Sequence, residues 1–188
     1  MEKRTSKFAV VIAIFAALYA VASLLTAYIP TGIFFIQFRP AIAVPMVAAV
    51  IYPPIIAGLS AALGTFIASI VRYGTPLLTI FSGTPANFLG FYTMGLTYRL
   101  LRRRNVNWIL SLIMSSIAGL IVGSLIIGLG LWFIATSIAP GLLPPNFANI
   151  GFAIFSSFLL VFAPAPVAVF ITILIIESLK RSKKIRNI

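Results

Sequence analysis

The polar side chains able to recognise another molecule are few, and they sit at the edges of apolar runs. Gln37 and Arg39 precede Pro40, Arg72 and Tyr73 close a second run, Asn87 follows Thr84-Pro85, and Asn146 and Asn149 lie in a loop rich in Pro, Gly and Asn. Amides and a guanidinium bind ligands well, but the groups that make and break bonds are missing. The chain has no His and no Cys, which removes thiolate and imidazole chemistry and most zinc, copper or iron sites. Its only acids are Glu2 and Glu177, and Glu177 has Lys180 and Arg181 three and four residues on, an ordinary helical pairing. Glu177 falls near the inner end of the last apolar run and no carboxylate lies deeper, so a proton-coupled carrier or a carboxylate-based hydrolase is poorly supported. A G-x-x-x-x-G-K-[ST] phosphate loop is also absent from the sequence, so any ATP dependence must come from other subunits. Neither catalysis nor a cofactor is expected, and any small-molecule ligand should be neutral or anionic, since a site with no carboxylate is a poor host for a cation.

The elements that must hold these groups are membrane helices. Of 188 residues 61% are hydrophobic and 9% charged, with mean hydropathy +1.14, where soluble domains carry about a quarter charged residues. The net charge of +12 does not indicate nucleic acid, because the basic residues cluster at the ends of apolar spans: Lys3/Arg4/Lys7, Arg99/Arg102/Arg103/Arg104, and Lys180/Arg181/Lys183/Lys184/Arg186. Six helices are expected, over about 8–29, 40–52, 54–71, 84–102, 108–135 and 151–179, in one transmembrane domain. Read as one helix, 40–71 would be about 48 Å long at 1.5 Å per residue, and Pro53-Pro54 would break it, so it divides into a short second helix and a third. Thr84-Pro85 reads as an N-cap followed by Pro at the first helical position, and Pro164 and Pro166 predict a bend in the last helix. Six crossings place all three basic clusters and both termini on the cytoplasmic side of the cell membrane, with Arg39 and Arg72 outside; five crossings would move two clusters outside. A re-entrant pair formed by the short second helix and the third would preserve the same parity. Lys3/Arg4/Lys7 and Ala20-Val21-Ala22 loosely suggest a cleavable signal, but the apolar run continues to Ile29 and reads as an uncleaved span.

Small residues recur at helical spacing. Ala9, Ala13 and Ala17 form one line in the first span, with Ala16 and Ala20 beside it; Ala57/Ala61/Thr65, Gly58/Ala62, Gly119/Gly123 and Ser124/Gly128 repeat the pattern in the third and fifth helices. Such positions let a second helix approach closely, which matters in lipid because apolar contact alone gains little there. In the third and fifth helices the pattern reads as internal packing, and in the first as internal packing or a docking face.

Size, six spans, this alanine line, Gln37-Phe38-Arg39-Pro40-Ala41-Ile42-Ala43 entering a short second helix, and Pro85-Ala86-Asn87-Phe88-Leu89-Gly90 opening the fourth together resemble the substrate-binding S component of energy-coupling factor (ECF) transporters. The resemblance spans nearly the whole chain. It implies an importer of a vitamin or related metabolite in which the first helix docks onto a transmembrane T component driven by two cytoplasmic ATPases. Carried over, Ala13 and Ala17 are the best-matched docking positions, followed by Ala9, with Ala16 and Ala20 adjoining. The nickel and cobalt branch of that family uses N-terminal histidine, which this chain lacks.

The second, fourth and sixth helices all begin on the outer side, so their unpaired N–H groups and positive dipole ends should converge there, a setting for an anionic or hydrogen-bond-accepting ligand. The expected binding set is Gln37, Arg39, Arg72, Tyr73, Asn87, Tyr92, Trp132, Asn146 and Asn149. Each has a structural alternative: the arginines can reach lipid headgroups, Tyr73 and Trp132 suit an aromatic belt, the loop asparagines can cap the sixth helix, and Tyr92 can pack within the bundle. The competing function is a structural or assembly membrane protein without a small-molecule ligand.

Overall fold

The computed structural model describes residues 2–26 and 39–182. Gln37 lies outside the described residues. The helices are α1 (Glu2–Thr26), α2 (Ala43–Ile51), α3 (Pro54–Tyr73), α4 (Thr84–Arg103), α5 (Trp108–Phe133), α6 (Ile150–Phe162) and α7 (Ala165–Arg181), and no strand occurs among the described residues. Four stretches are long and apolar enough to cross a membrane: Ser6–Thr26, Pro54–Tyr73, Trp108–Ile138 and Ile150–Arg181. Their outward faces are apolar as well; on α1 alone Val10, Ile14, Leu18, Val21 and Leu25 are more than half exposed. Water would penalise such a face and lipid would not, so the chain has the build of a helical membrane protein.

The sequence explains where the helices start and stop. Pro53 is extended and Pro54 begins α3, so the run from 40 to 73 divides where two residues without N–H groups fall together. Pro40–Ile42 winds as a 3-10 turn before α2; Pro45 cannot donate back to Ala41, and the tighter turn absorbs that missing bond. At 12 residues, Pro40–Ile51 rises about 18 Å, short of a hydrocarbon core of about 30 Å. Gly74 ends α3 in the left-handed region at φ 70°, its N–H donating to the Ile70 carbonyl at 2.9 Å. The expected bend in the last helix is a full interruption: Ala163 and Pro164 separate α6 from α7.

Two departures concern the start of α4 and the fate of Arg99. A π-helical turn at Thr79–Gly83 runs straight into α4, and the Thr84 N–H donates to the Thr79 carbonyl. Thr84 is therefore interior to continuous helical bonding and caps nothing, and Asn87 does not sit among unpaired N–H groups. Arg99, one of the basic cluster by sequence, turns partly inward. Its guanidinium donates to the Tyr52 carbonyl at the end of α2 and to the Gly95 carbonyl, fastening the α2–α3 break to α4.

The small residues are used inside the bundle. A Cβ on Gly119 would lie 2.6 Å from the Gly90 carbonyl oxygen, one on Gly58 2.8 Å from that of Phe88, one on Gly64 2.8 Å from that of Ala16, and one on Gly128 2.7 Å from the Ile154 Cα. At these glycines α4 meets α5, α3 meets α4, α1 meets α3 and α5 meets α6 with no room for a side chain. Ala57 and Ala61 are fully buried, as is Ser124, so the third and fifth helices pack internally as their spacing allows.

Candidate functional site

Two polar side chains from distant parts of the chain meet inside the bundle. Tyr19, on α1 and 2% exposed, donates its phenol proton to Asn87 Oδ1 on α4 at 3.0 Å, and Asn87 Nδ2 donates to the Gly83 carbonyl at 2.7 Å. The close approach of α1 to α3 at Gly64 sets the depth of Tyr19, because that glycine leaves room for the ring edge. The π-helical turn matters equally, since it presents the Gly83 carbonyl that fixes the Asn87 amide. A half-buried amide among apolar helices needs partners, and here it has one on each side.

Around this pair lies a cavity of about 80 Å³. Tyr19, Arg39, Asn87 and Ser116 supply its polar side chains, and Met46, Phe91, Met94 and Leu120 much of its apolar wall. Gly90, Gly119 and Gly123 line it with bare backbone on the α4–α5 seam, so the packing that joins these helices also leaves the space. Leu160, Val161 and Pro164 bring the α6–α7 interruption to the same cavity, and because Pro164 has no N–H, the Leu160 carbonyl lacks its i+4 donor. Irregular helix at membrane depth is tolerated where it faces a cavity. An apolar cavity of about 150 Å³ accommodates benzene, so a vitamin-sized ligand requires this smaller one to widen.

A narrow cleft of about 10 Å³ adjoins it, lined by Ser23, Thr65, Ser69, Thr79, Arg72 and Tyr73, with Arg39 lining both spaces. The Arg72 guanidinium lies 5.1 Å from the centre of the Tyr73 ring. Thr79 Oγ1 lies 2.6 Å from Ser69 Oγ, while Ser69 donates to the Phe66 carbonyl at 2.9 Å. Ser23 Oγ and Thr65 Oγ1 are buried and form no well-made hydrogen bond; the polar group beside both is the Tyr19 phenol, whose own proton goes to Asn87.

The structure thus divides the expected binding set. Arg39 and Asn87 line the cavity, and Arg72 and Tyr73 line the cleft beside it. Four positions stand elsewhere. Asn149 caps α6, accepting from the Phe152 N–H at 3.0 Å, which is what an Asn immediately before a helix does. Asn146 is exposed in the short 3-10 turn Pro145–Ala148. Trp132 packs with Ile134, Leu143, Phe147 and Ala153 in a small cluster beneath that loop. Tyr92 stacks on Phe88 one turn away, with centroids 6.1 Å apart. Tyr19 and Ser116 are the polar lining residues that the sequence did not single out; a phenol in the middle of an apolar span was the available signal for Tyr19.

The alanines of α1 divide as well. Ala9, Ala13 and Ala17 are exposed on the outer surface of the bundle, whereas Ala16 and Ala20 are 2% and 3% exposed and face inward with Tyr19. Ala16 and Ala20 are therefore internal packing residues; at 100° per residue they border the line of 9, 13 and 17, with Tyr19 and Ser23 turned further inward, so burial and not spacing separates them from that line. Among the described residues no three His, Cys, Asp or Glu side chains come together to hold a metal. No family model, characterised protein or solved structure matches this chain.

Proposed function

We propose that this protein is the substrate-capture subunit of an importer of the energy-coupling factor kind. It binds a neutral or anionic small metabolite in the cavity around Asn87, delivers it inward after docking to a transmembrane T component, and depends on two ATPase subunits for energy. In this reading the protein sits in the cell membrane with both termini and the basic clusters cytoplasmic, six crossings with α6 and α7 forming one of them, and the cavity in the outer half.

The observation that carries the proposal is the double role of α1. That helix carries an exposed line of Ala9, Ala13 and Ala17 and also sends Tyr19 inward to the cavity to bond Asn87. A structural protein has use for the first feature but not for a cavity with polar side chains behind it. Among the described residues the lining is mostly apolar, with Tyr19, Arg39, Asn87 and Ser116 as its polar side chains, a set suited to holding a ligand.

The test separates the two roles. Ala13→Trp or Ala17→Trp places a bulky ring on the exposed line; it should abolish uptake and assembly with the partner subunits while ligand binding by the isolated protein changes less than about threefold. Equal loss of binding and assembly would show that the line serves the protein's own packing.

A further inference from the structure

We infer that the cleft between Arg39 and Arg72 is an anion subsite and that the transported molecule carries a carboxylate or equivalent anionic group there, its apolar body lying in the adjoining cavity. This rests on the importer reading and commits it to one charge class.

The first ground is the makeup of the cleft. Two guanidinium-bearing residues, a phenol-bearing residue and four hydroxyl-bearing residues line it, and no carboxylate does. Such a set offers donors and positive charge, the complement of an oxyanion. The second ground is independent of charge. Ser23 and Thr65 are each 4% exposed, from α1 and α3, and their hydroxyls make no well-formed hydrogen bond. Buried hydroxyls with no well-formed bond are disfavoured, and both residues line this cleft, so an oxyanion that widens it can accept their hydrogen bonds. The third ground is continuity. Arg39 lines the cavity and the cleft together, so one side chain can reach an anionic group while the rest of the same molecule lies against Met46, Phe91 and Met94.

The supporting structure holds the cleft in place. Arg72 is steadied by the Tyr73 ring, and Thr79 by Ser69 across the gap between α3 and the π-helical turn. The cleft measures about 10 Å³, room for about one water, which fits a single anionic oxygen displacing that water and not a free polyatomic ion. The geometry therefore points to a charged end on a larger ligand.

The experiment uses the purified full-length protein in lipid nanodiscs and two probes of nearly equal shape, 4-fluorobenzoate and 4-fluorobenzamide, followed by fluorine NMR line broadening. The expected result is that the benzoate binds at least tenfold more tightly than the benzamide. Arg72→Gln and Thr65→Val should each remove most of that difference while leaving the benzamide unchanged, and added salt should weaken the benzoate alone. Binding of both probes alike, binding of neither, or a preference that survives Arg72→Gln would overturn the anion subsite. Thermal unfolding of each variant checks folding, and Arg72→Lys, which keeps the charge, should retain part of the preference. Assembly with the T component and ATPases is measured separately, so an intact complex with no anion preference defeats this inference and leaves the importer reading standing.

Discussion

Replacing Asn87 by Leu removes both hydrogen bonds that define the cavity while keeping a helix-forming side chain of similar reach. Stability and binding should respond differently. The Tyr19–Asn87 bond at 3.0 Å joins α1 to α4 across the bundle. Interhelical bonds of this kind in membranes contribute about 0.6 kcal/mol on average and up to about 1.7. The Asn87–Gly83 bond lies within one helical segment, and its loss adds little because the carbonyl can share a neighbouring donor. Leu also gains apolar contact with Phe91 and Met94, so the net loss of stability should be about 1 kcal/mol or less. Ligand binding loses more, because a polar group on the ligand is left buried without its partner. That costs roughly 1–3 kcal/mol, a factor of about 5 to 150 in Kd. Tyr19→Phe is the control: it deletes only the hydroxyl, leaves the Asn87 amide available to the ligand, and should change Kd by less than about threefold. Titration calorimetry of the detergent-purified protein with the metabolite that copurifies with it measures both variants, alongside thermal unfolding. Equal losses for Asn87→Leu and Tyr19→Phe would mean that the amide is a structural strut, and no change for either would remove it from the site.

The remaining expectations test other parts of the account. Asn149→Ala should cost about 1 kcal/mol of stability through loss of the α6 cap and leave Kd unchanged, measured by unfolding and calorimetry on the same sample. Gly119→Ala drives a methyl group against the Gly90 carbonyl and should destabilise the protein by about 1–3 kcal/mol, read as a lowered unfolding temperature in lipid nanodiscs. The chain has no Cys, so single-cysteine labelling in intact cells is clean: Gly74→Cys and Pro144→Cys should react with an impermeant maleimide, and Asn105→Cys only after permeabilisation.

The helices were readable because their signals are local. Pro53-Pro54 separates α2 from α3 whatever surrounds it, Gly74 stops α3, and small residues four apart pack closely wherever they occur. What escaped was set by distant contact or by backbone geometry without a sequence mark. Nothing near residue 79 announces a π-helical turn, and once it forms, Thr84 loses its expected role as a cap. Tyr19 and Asn87 are 68 positions apart, so their bond is invisible until α1 and α4 are placed. Asn149 was ambiguous because an Asn before an apolar run serves a cap and a ligand equally well; the Phe152 N–H took it. The alanines of α1 gave spacing but not direction, and burial of Ala16 and Ala20 set their face inward. Arg39 and Asn87 were singled out by rarity in an apolar chain, and both line the cavity, although Asn87 does so from inside a continuous helix instead of at a helix start.

The central claim is that this chain captures a small molecule and passes it to an energised partner. Native mass spectrometry of material purified from its own membranes through a tag on this chain measures both halves at once. The account predicts a complex containing one transmembrane partner and two ATPase subunits, and, on the chain released from it, a discrete adduct of metabolite mass that disappears in Asn87→Leu. A bare chain with no adduct, or a chain joined only to proteins of cell-shape or assembly machinery, would contradict it.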